Sequence, residues 1–196
     1  MNVPQKPAPA SKPILQPIID RWSPLAFSDR TVEPEKIATF FEAARWAPSN
    51  YNEQPWRYLY ALKEDGEIRE TLEGLLVPGN AWAKHAGVLA ISFGKKTFVK
   101  NEKENQWNLH DVGAASSYLV LQLPALGLVG HQMSGYDKAN ANAVLGVPEE
   151  FEPGSMLAIG YPGDHASLSE ELQKREDSPR TRNSVEQFAF RGTWKS

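Results

Sequence analysis

From residue 47 to residue 56 the chain reads APSNYNEQPW, which places an aliphatic hydroxyl (Ser49) and three carboxamides (Asn50, Asn52 and Gln54) between Pro48 and Pro55. A carboxamide donates and accepts at once, which suits a heteroaromatic ring with a mixed donor and acceptor edge, or a polyol chain. The same residue types favour turns, so the composition also suits a turn-rich connection stiffened by prolines. What the remaining residues lack narrows the chemistry. The four histidines, His85, His110, His131 and His165, are scattered with no HExxH or other metal-ligand spacing, which speaks against metal-assisted hydrolysis. There is no G-x-S-x-G nucleophile elbow and no G-x-G-x-x-G after a strand, so neither a serine hydrolase nor a Rossmann nicotinamide site is supported. Cysteine is absent, which removes thiolate nucleophiles, disulfide exchange and cysteine-ligated zinc or iron–sulfur clusters. Redox work would therefore fall to a borrowed organic cofactor.

Charge and hydropathy limit the partners. Lys and Arg number 21 against 24 Asp and Glu, a net charge of -3, so the whole-chain field attracts neither nucleic acid nor anionic membrane. Any bound anion must be held by a few placed arginines. No stretch approaches the roughly 20 apolar residues of a membrane span, and the first residues carry lysines and prolines where a signal peptide needs an unbroken apolar run. A cytoplasmic location is the expectation. At 196 residues and 41% apolar, the chain has the profile of an ordinary globular protein. A fold of this size buries roughly 70% of its unfolded surface and needs no disulfide or structural metal.

Residues 1–17 include Pro4, Pro7, Pro9, Pro13 and Pro17, and read as an extended N-terminal arm. Residues 18–196 read as one domain, of which 164–196 is a polar extension that needs another surface to order it. Apolar residues at helical spacing predict a short helix over 14–22 and a longer one from Pro34 to about Ala47, with Ile37, Phe40, Phe41 and Ala44 on one face. Strands are predicted over 56–62, 88–93 and 155–160, the second continuously apolar and so covered on both faces. Helical stretches fall around 66–76 and 79–86. A long helix-compatible run spans about 105–128, with Leu109, Val112, Ala115, Leu119 and Leu123 inward, until Pro124 kinks or ends it. Asp137 is placed to cap a helix over 138–145, stopped by Gly146 and Pro148. The alternation gives an α+β class, a small sheet between helices.

The loop and its flanks resemble the FMN-dependent nitroreductase family. APS-x-x-N-x-Q-P-W follows an amphipathic helix, with Arg21-Trp22-Ser23 before it. Asp111-Val112-Gly113-Ala114, the stretch from Gly127 to Tyr136-Asp137, Ile159-Gly160-Tyr161-Pro162 and Arg180-Thr181-Arg182 follow in the family's order. The resemblance implies a nitroreductase-like fold: a small central antiparallel or mixed sheet flanked by helices, one of them long and central. It also implies a homodimer with two flavins at its interface. Non-covalent FMN, NADH or NADPH as donor, and a small electron-poor acceptor such as a nitroaromatic or quinone are implied with it.

Residue by residue, Arg21 and Ser23 are similar to the family's first phosphate-binding pair, and Arg180 and Arg182 to the basic pair that closes on the same phosphate. Guanidinium grips phosphate bidentately, and R-x-R in an extended segment turns both side chains to one face. Pro48, Ser49, Asn50, Asn52 and Gln54 match positions that line the flavin ring and ribityl chain. Ser134 and Gly135 match the segment that meets the ring's reactive edge, where glycine lets a backbone amide approach a flat ligand. Two departures stand out: Leu25 replaces a second basic residue after the R-x-S serine, and Ser134 stands where glutamate is frequent. No side chain is assigned as a catalytic acid or base. The alternative is a flavin carrier or regulatory module without nicotinamide-dependent turnover. Tyr51, Trp56, Trp82, Trp107 and His131 suit either a pocket wall or the core.

Overall fold

The computed structural model describes residues 5–194; Pro4 of the expected arm lies outside them. Its centre is a four-stranded antiparallel sheet in the order β1-β2-β4-β3. The strands are β1 (Trp56–Leu62), β2 (Val88–Lys95), β3 (Val129–Met133) and β4 (Phe151–Gly160). β1 coincides with its expected range. β2 is buried on both faces as its apolar run predicts, although its neighbours are antiparallel. β4 starts four residues earlier than expected, through Pro153, and a bulge between Ile91 and Phe93 absorbs the irregularity.

A strand at 129–133 was not expected from the sequence. VGHQM offers one β-branched residue and a glycine, and it forms an edge only because all five residues pair with β4.

Helices cover both faces. On one side α2 (Pro34–Arg45) presents Ile37, Phe40 and Ala44, and α4 (Asn108–Gln122) presents Val112, Ala115 and Leu119, against Val88, Ala90, Leu157 and Ile159 of the sheet. The other side is filled by Leu72 of α3 (Glu67–Gly74) and by Trp82 and Ala83, against Leu89, Ile91, Met156 and Ala158. This is the three-layer arrangement an α+β pattern anticipates.

Several local expectations change. The first helix, α1, is confined to Gln16–Asp20, with Pro17 in its first turn, where a missing N–H costs nothing. The 79–86 stretch is a 3₁₀ helix, Pro78–His85. α4 passes at Leu123 into a 3₁₀ turn that closes at Gly127 in the left-handed conformation (φ 68°), so Pro124 ends the α-helix as anticipated. Leu109 is only half-buried. α5 spans just Ala141–Leu145, because Asp137 accepts from the Asn140 backbone and side chain instead of capping at residue 138. Gly146 (φ 64°) terminates it as expected.

The polar extension is not left without a surface of its own chain. Its helix α6 (Glu170–Asp177), capped by Ser169, buries Glu176 against residues 25 and 26. That N-terminal segment is itself fixed to the end of β4: Ser28 N donates to the Tyr161 carbonyl at 2.9 Å and Gly163 N to the Ala26 carbonyl at 3.0 Å.

Candidate functional site

The carboxamide loop joins α2 to β1 in a conformation that its residue types resist. Tyr51, Asn52 and Gln54 have φ of 51°, 57° and 51°, three non-glycine residues in the left-handed region within four positions. Such backbone persists only where its surroundings over-determine it, and it concentrates at ligand sites. The surroundings here are specific. Ser49 Oγ accepts from Gln54 N at 3.0 Å, Gln54 Nε2 donates to the Asn52 carbonyl at 3.0 Å, and Glu53 Oε1 accepts from Val99 N at 2.6 Å.

From beneath, Asp111 Oδ2 accepts from Asn50 N at 2.9 Å. Asp111 is 2% exposed and sits in the first turn of α4, where the helix end favours a carboxylate. Pro48 and Asn52 are exposed, and Ser49, Asn50 and Gln54 half-buried. Tyr51 is exposed with its ring edge-on to Phe98.

The arginines meet elsewhere. A cleft of about 190 Å³ is lined by Arg21, Ser23, Arg180 and Arg182, together with Lys6 and Arg175, which sequence reasoning missed. His131 of β3 forms part of the wall, and Glu176 is the one carboxylate among the described lining residues. Arg21 Nη1 donates to Ser23 Oγ at 3.2 Å. Arg180 Nη1 donates to the carbonyls of Lys6 and Ile19 at 2.6 and 3.1 Å, and Arg182 Nη1 to that of Thr181 at 2.6 Å. Both arginines of R-x-R thus line one cleft, Arg180 with part of its fork satisfied by backbone.

Burial, and then the like charges of Arg180 and Arg182, pull the Arg21 pKa down; burial and Arg182 do the same to Arg180. Since guanidinium stays charged at neutral pH, the physical content is crowded positive charge, which an anion would relieve. The Leu25 departure has a structural counterpart: Leu25 is a core residue, and Lys6 and Arg175 supply positive charge to the cleft instead.

Ser134 is exposed at the end of β3, beside Gly135. Gly135 also packs closely against a side chain of its own chain. A Cβ there would lie 2.4 Å from Asn80 Nδ2, which donates to the Gly135 carbonyl at 3.0 Å, so the close approach is to Asn80. Of the candidate wall residues, Trp56 and Trp82 are core, while Tyr51 and Trp107 are exposed.

Within one chain the predicted residues fall into two groups, the loop residues not lining the arginine cleft. The carboxamide loop precedes edge strand β1, and the arginine cleft adjoins edge strand β3. Three interstrand spacings separate these edges, about 14 Å. A roomier hollow than the cleft, about 650 Å³ between residues 25–29, the Pro78–His85 helix and residues 164–172, contains none of the predicted site residues.

Fold and clefts define a three-layer α+β protein with an arginine-lined cleft at one sheet edge and a strained carboxamide loop at the other. The chain belongs to the nitroreductase family, whose model matches residues 18–81 and 75–161. An uncharacterized 15.4 kDa protein of Mycolicibacterium smegmatis is 35% identical over 128 residues, 65% of this chain and 85% of that one. A protein of Archaeoglobus fulgidus, named as a candidate NADH dehydrogenase/NAD(P)H nitroreductase, is 26% identical over 80% of this chain and 89% of its own. Among solved structures, an oxidoreductase containing FMN superposes with a TM-score of 0.89 at 33% identity, covering 100% of this chain and 99% of that one. Among the described residues no helix is long and apolar enough to cross a membrane.

Proposed function

We propose that the protein is an FMN-dependent oxidoreductase of the cytoplasm. In this reading it uses NADH or NADPH to reduce a small electron-poor acceptor, such as a nitroaromatic or a quinone, by a ping-pong mechanism. The supporting observation is the arginine cleft, where residues from both ends of the sequence converge around a space with crowded positive charge. The donor set fits a phosphate monoester: guanidinium forks, an ammonium and a hydroxyl, with the Glu176 Oε1 atom already engaged by backbone N–H groups. The structure containing FMN at 33% identity supports the same choice of cofactor.

Arg21, Ser23, Arg180 and Arg182 would hold the phosphate. Pro48, Ser49, Asn50, Asn52 and Gln54 would line the ring and ribityl chain, with Ser134 and Gly135 at the reactive edge. Bound FMN supplies the two-electron chemistry. The chain's own part is to place carboxamide and backbone donors, pre-fixed by Asp111 and Ser49, where negative charge develops. No side chain acts as an acid or base in this scheme. Because loop and cleft sit at opposite sheet edges, the complete site is proposed to form between two copies, the loop of one facing the cleft of the other.

The test is spectroscopic. Purified protein should carry or take up FMN with a visible flavin spectrum and turn over NADH or NADPH with a nitroaromatic or quinone. A colourless protein that cannot be loaded overturns the reading. Bound FMN without nicotinamide-dependent turnover would favour a carrier.

A further inference from the structure

The Arg21–Ser23 and Arg180–Arg182 pairs of the cleft lie about 160 residues apart in sequence, so something must hold one against the other. Glu176 occupies that junction. It is 4% exposed, and its Oε1 accepts from Leu25 N at 2.7 Å and Ala26 N at 3.2 Å, just after Arg21 and Ser23. Its own carbonyl and that of Ser178 accept from Lys6 Nζ. Two residues on, Arg180 binds the carbonyls of Lys6 and Ile19.

The strap 176–180 is thereby tied to residues on both sides of Arg21 and Ser23, at Ile19 and at Leu25 and Ala26. The opposite side of the N-terminal segment is held by β3, where His131 Nδ1 donates to the Pro24 carbonyl at 2.9 Å. Among the described residues Glu176 Oε2 is buried with no hydrogen-bond partner, a cost that a helix with no further task would avoid by placing a residue other than a carboxylate there.

We infer that Glu176 is a positioning residue: it latches the C-terminal strap onto residues 25 and 26, setting Arg180 and Arg182 opposite Arg21 and Ser23 so that the four close on one phosphate. The inference rests on the proposed FMN site for its ligand, and on geometry alone for the latch. A bound phosphate relieves the repulsion among the arginines, so ligand and latch hold the strap in the same place. Glu176→Gln keeps an oxygen able to accept both N–H bonds; Glu176→Ala leaves two buried donors unpaired; Glu176→Asp is too short to meet both.

The apo protein tests the latch without FMN. Cleavage by trypsin after Arg180, followed by mass spectrometry, should be faster by about tenfold or more in Glu176→Ala, since loss of bonds to a charged acceptor raises the open population by that order. Glu176→Gln should stay near the parent rate. Binding then tests positioning: FMN affinity, read by flavin fluorescence, should fall by about tenfold in Glu176→Ala and recover in Glu176→Gln, while riboflavin, which lacks the phosphate, binds all variants alike. Should Glu176→Ala not fold, Glu176→Asp takes its place with the same ordering.

Unchanged cleavage overturns the latch. Faster cleavage with unchanged FMN affinity, or equal losses for FMN and riboflavin, overturns the positioning role. A parent protein that binds no FMN overturns the cofactor reading and leaves the trypsin comparison to decide the latch.

Discussion

Arg180 and Arg182 differ in what already occupies them, and that difference sets how they should respond to change. Arg180 has backbone partners at Lys6 and Ile19, so truncating it loosens the strap as well as removing a charge, whereas among the described residues Arg182 bonds only its neighbour's carbonyl. The double substitution Arg180→Ala/Arg182→Ala should weaken FMN about a hundredfold or more, each charged contact contributing on the order of 1.5–3 kcal/mol, and leave riboflavin unchanged. Equal FMN affinity in parent and variant would remove these residues from the site. His131 gives the same cleft a pH signature. Burial pushes its pKa down, and Arg175 and Arg21 push it further, against the opposing Pro24 carbonyl and Glu176. Between the lowered folded value and the ordinary value of about 6.5 the unfolded chain binds more protons than the folded one, so stability present above about pH 6.5 is lost as pH falls through that window. Denaturant midpoints should therefore drop more for the parent than for His131→Gln between about pH 7.5 and about pH 5.5. Inorganic phosphate, by favouring the charged imidazolium, should reduce the parent's drop.

At the level of elements, the cleft depends on how residues 26–28 lie along the end of β4. A Cβ on Gly163 would fall 2.5 to 2.7 Å from the backbone atoms of Phe27, which cannot rotate aside. Gly163→Ala should cost about 1–3 kcal/mol by overpacking, read as a lower denaturant midpoint with unchanged slope, and should weaken FMN through the displaced Leu25 and Ala26 amides. A variant as stable as the parent would show that this pairing is looser than its hydrogen bonds imply.

Elements with strong local signals were legible in advance. α2 carries apolar residues at helical spacing behind a first-turn proline, and β1 is a run of β-formers bounded by Pro55. β3 was not, because VGHQM pairs through its backbone and has little side-chain pattern to announce it. Within the candidate site, the residue types that could hold a phosphate were legible, but their company was not. Lys6, Arg175 and Glu176 reach the cleft only through tertiary contacts. Asp111 could have been suspected as more than a helix residue: a carboxylate in the first turn of a largely apolar helix needs a partner, and Asn50 N is that partner.

For the whole molecule, the separation of loop and cleft across the sheet decides what a single chain can do. Large apolar side chains lie exposed in the loop and on the helical layer that flanks it: Trp46 after α2, Tyr51 within the loop, Trp107 just before α4 and Tyr118 on α4 are 43–90% exposed. Surface of that kind is costly in a monomer and ordinary at a subunit interface. In the proposed dimer it is covered, and each loop faces the partner's cleft. Two damaged chains should then repair one another. Arg180→Ala/Arg182→Ala removes the cleft and leaves the loop; Asn50→Ala/Gln54→Ala removes side chains of the loop and leaves the cleft. Neither homodimer should bind FMN tightly. Refolded together in equal amounts, half the dimers are mixed, and each mixed dimer holds one site with an intact loop and an intact cleft. About a quarter of the parent's FMN capacity should therefore return. If each site lay within one chain, mixing would restore nothing, and a parent protein that sediments as a monomer while binding FMN would overturn the shared site directly.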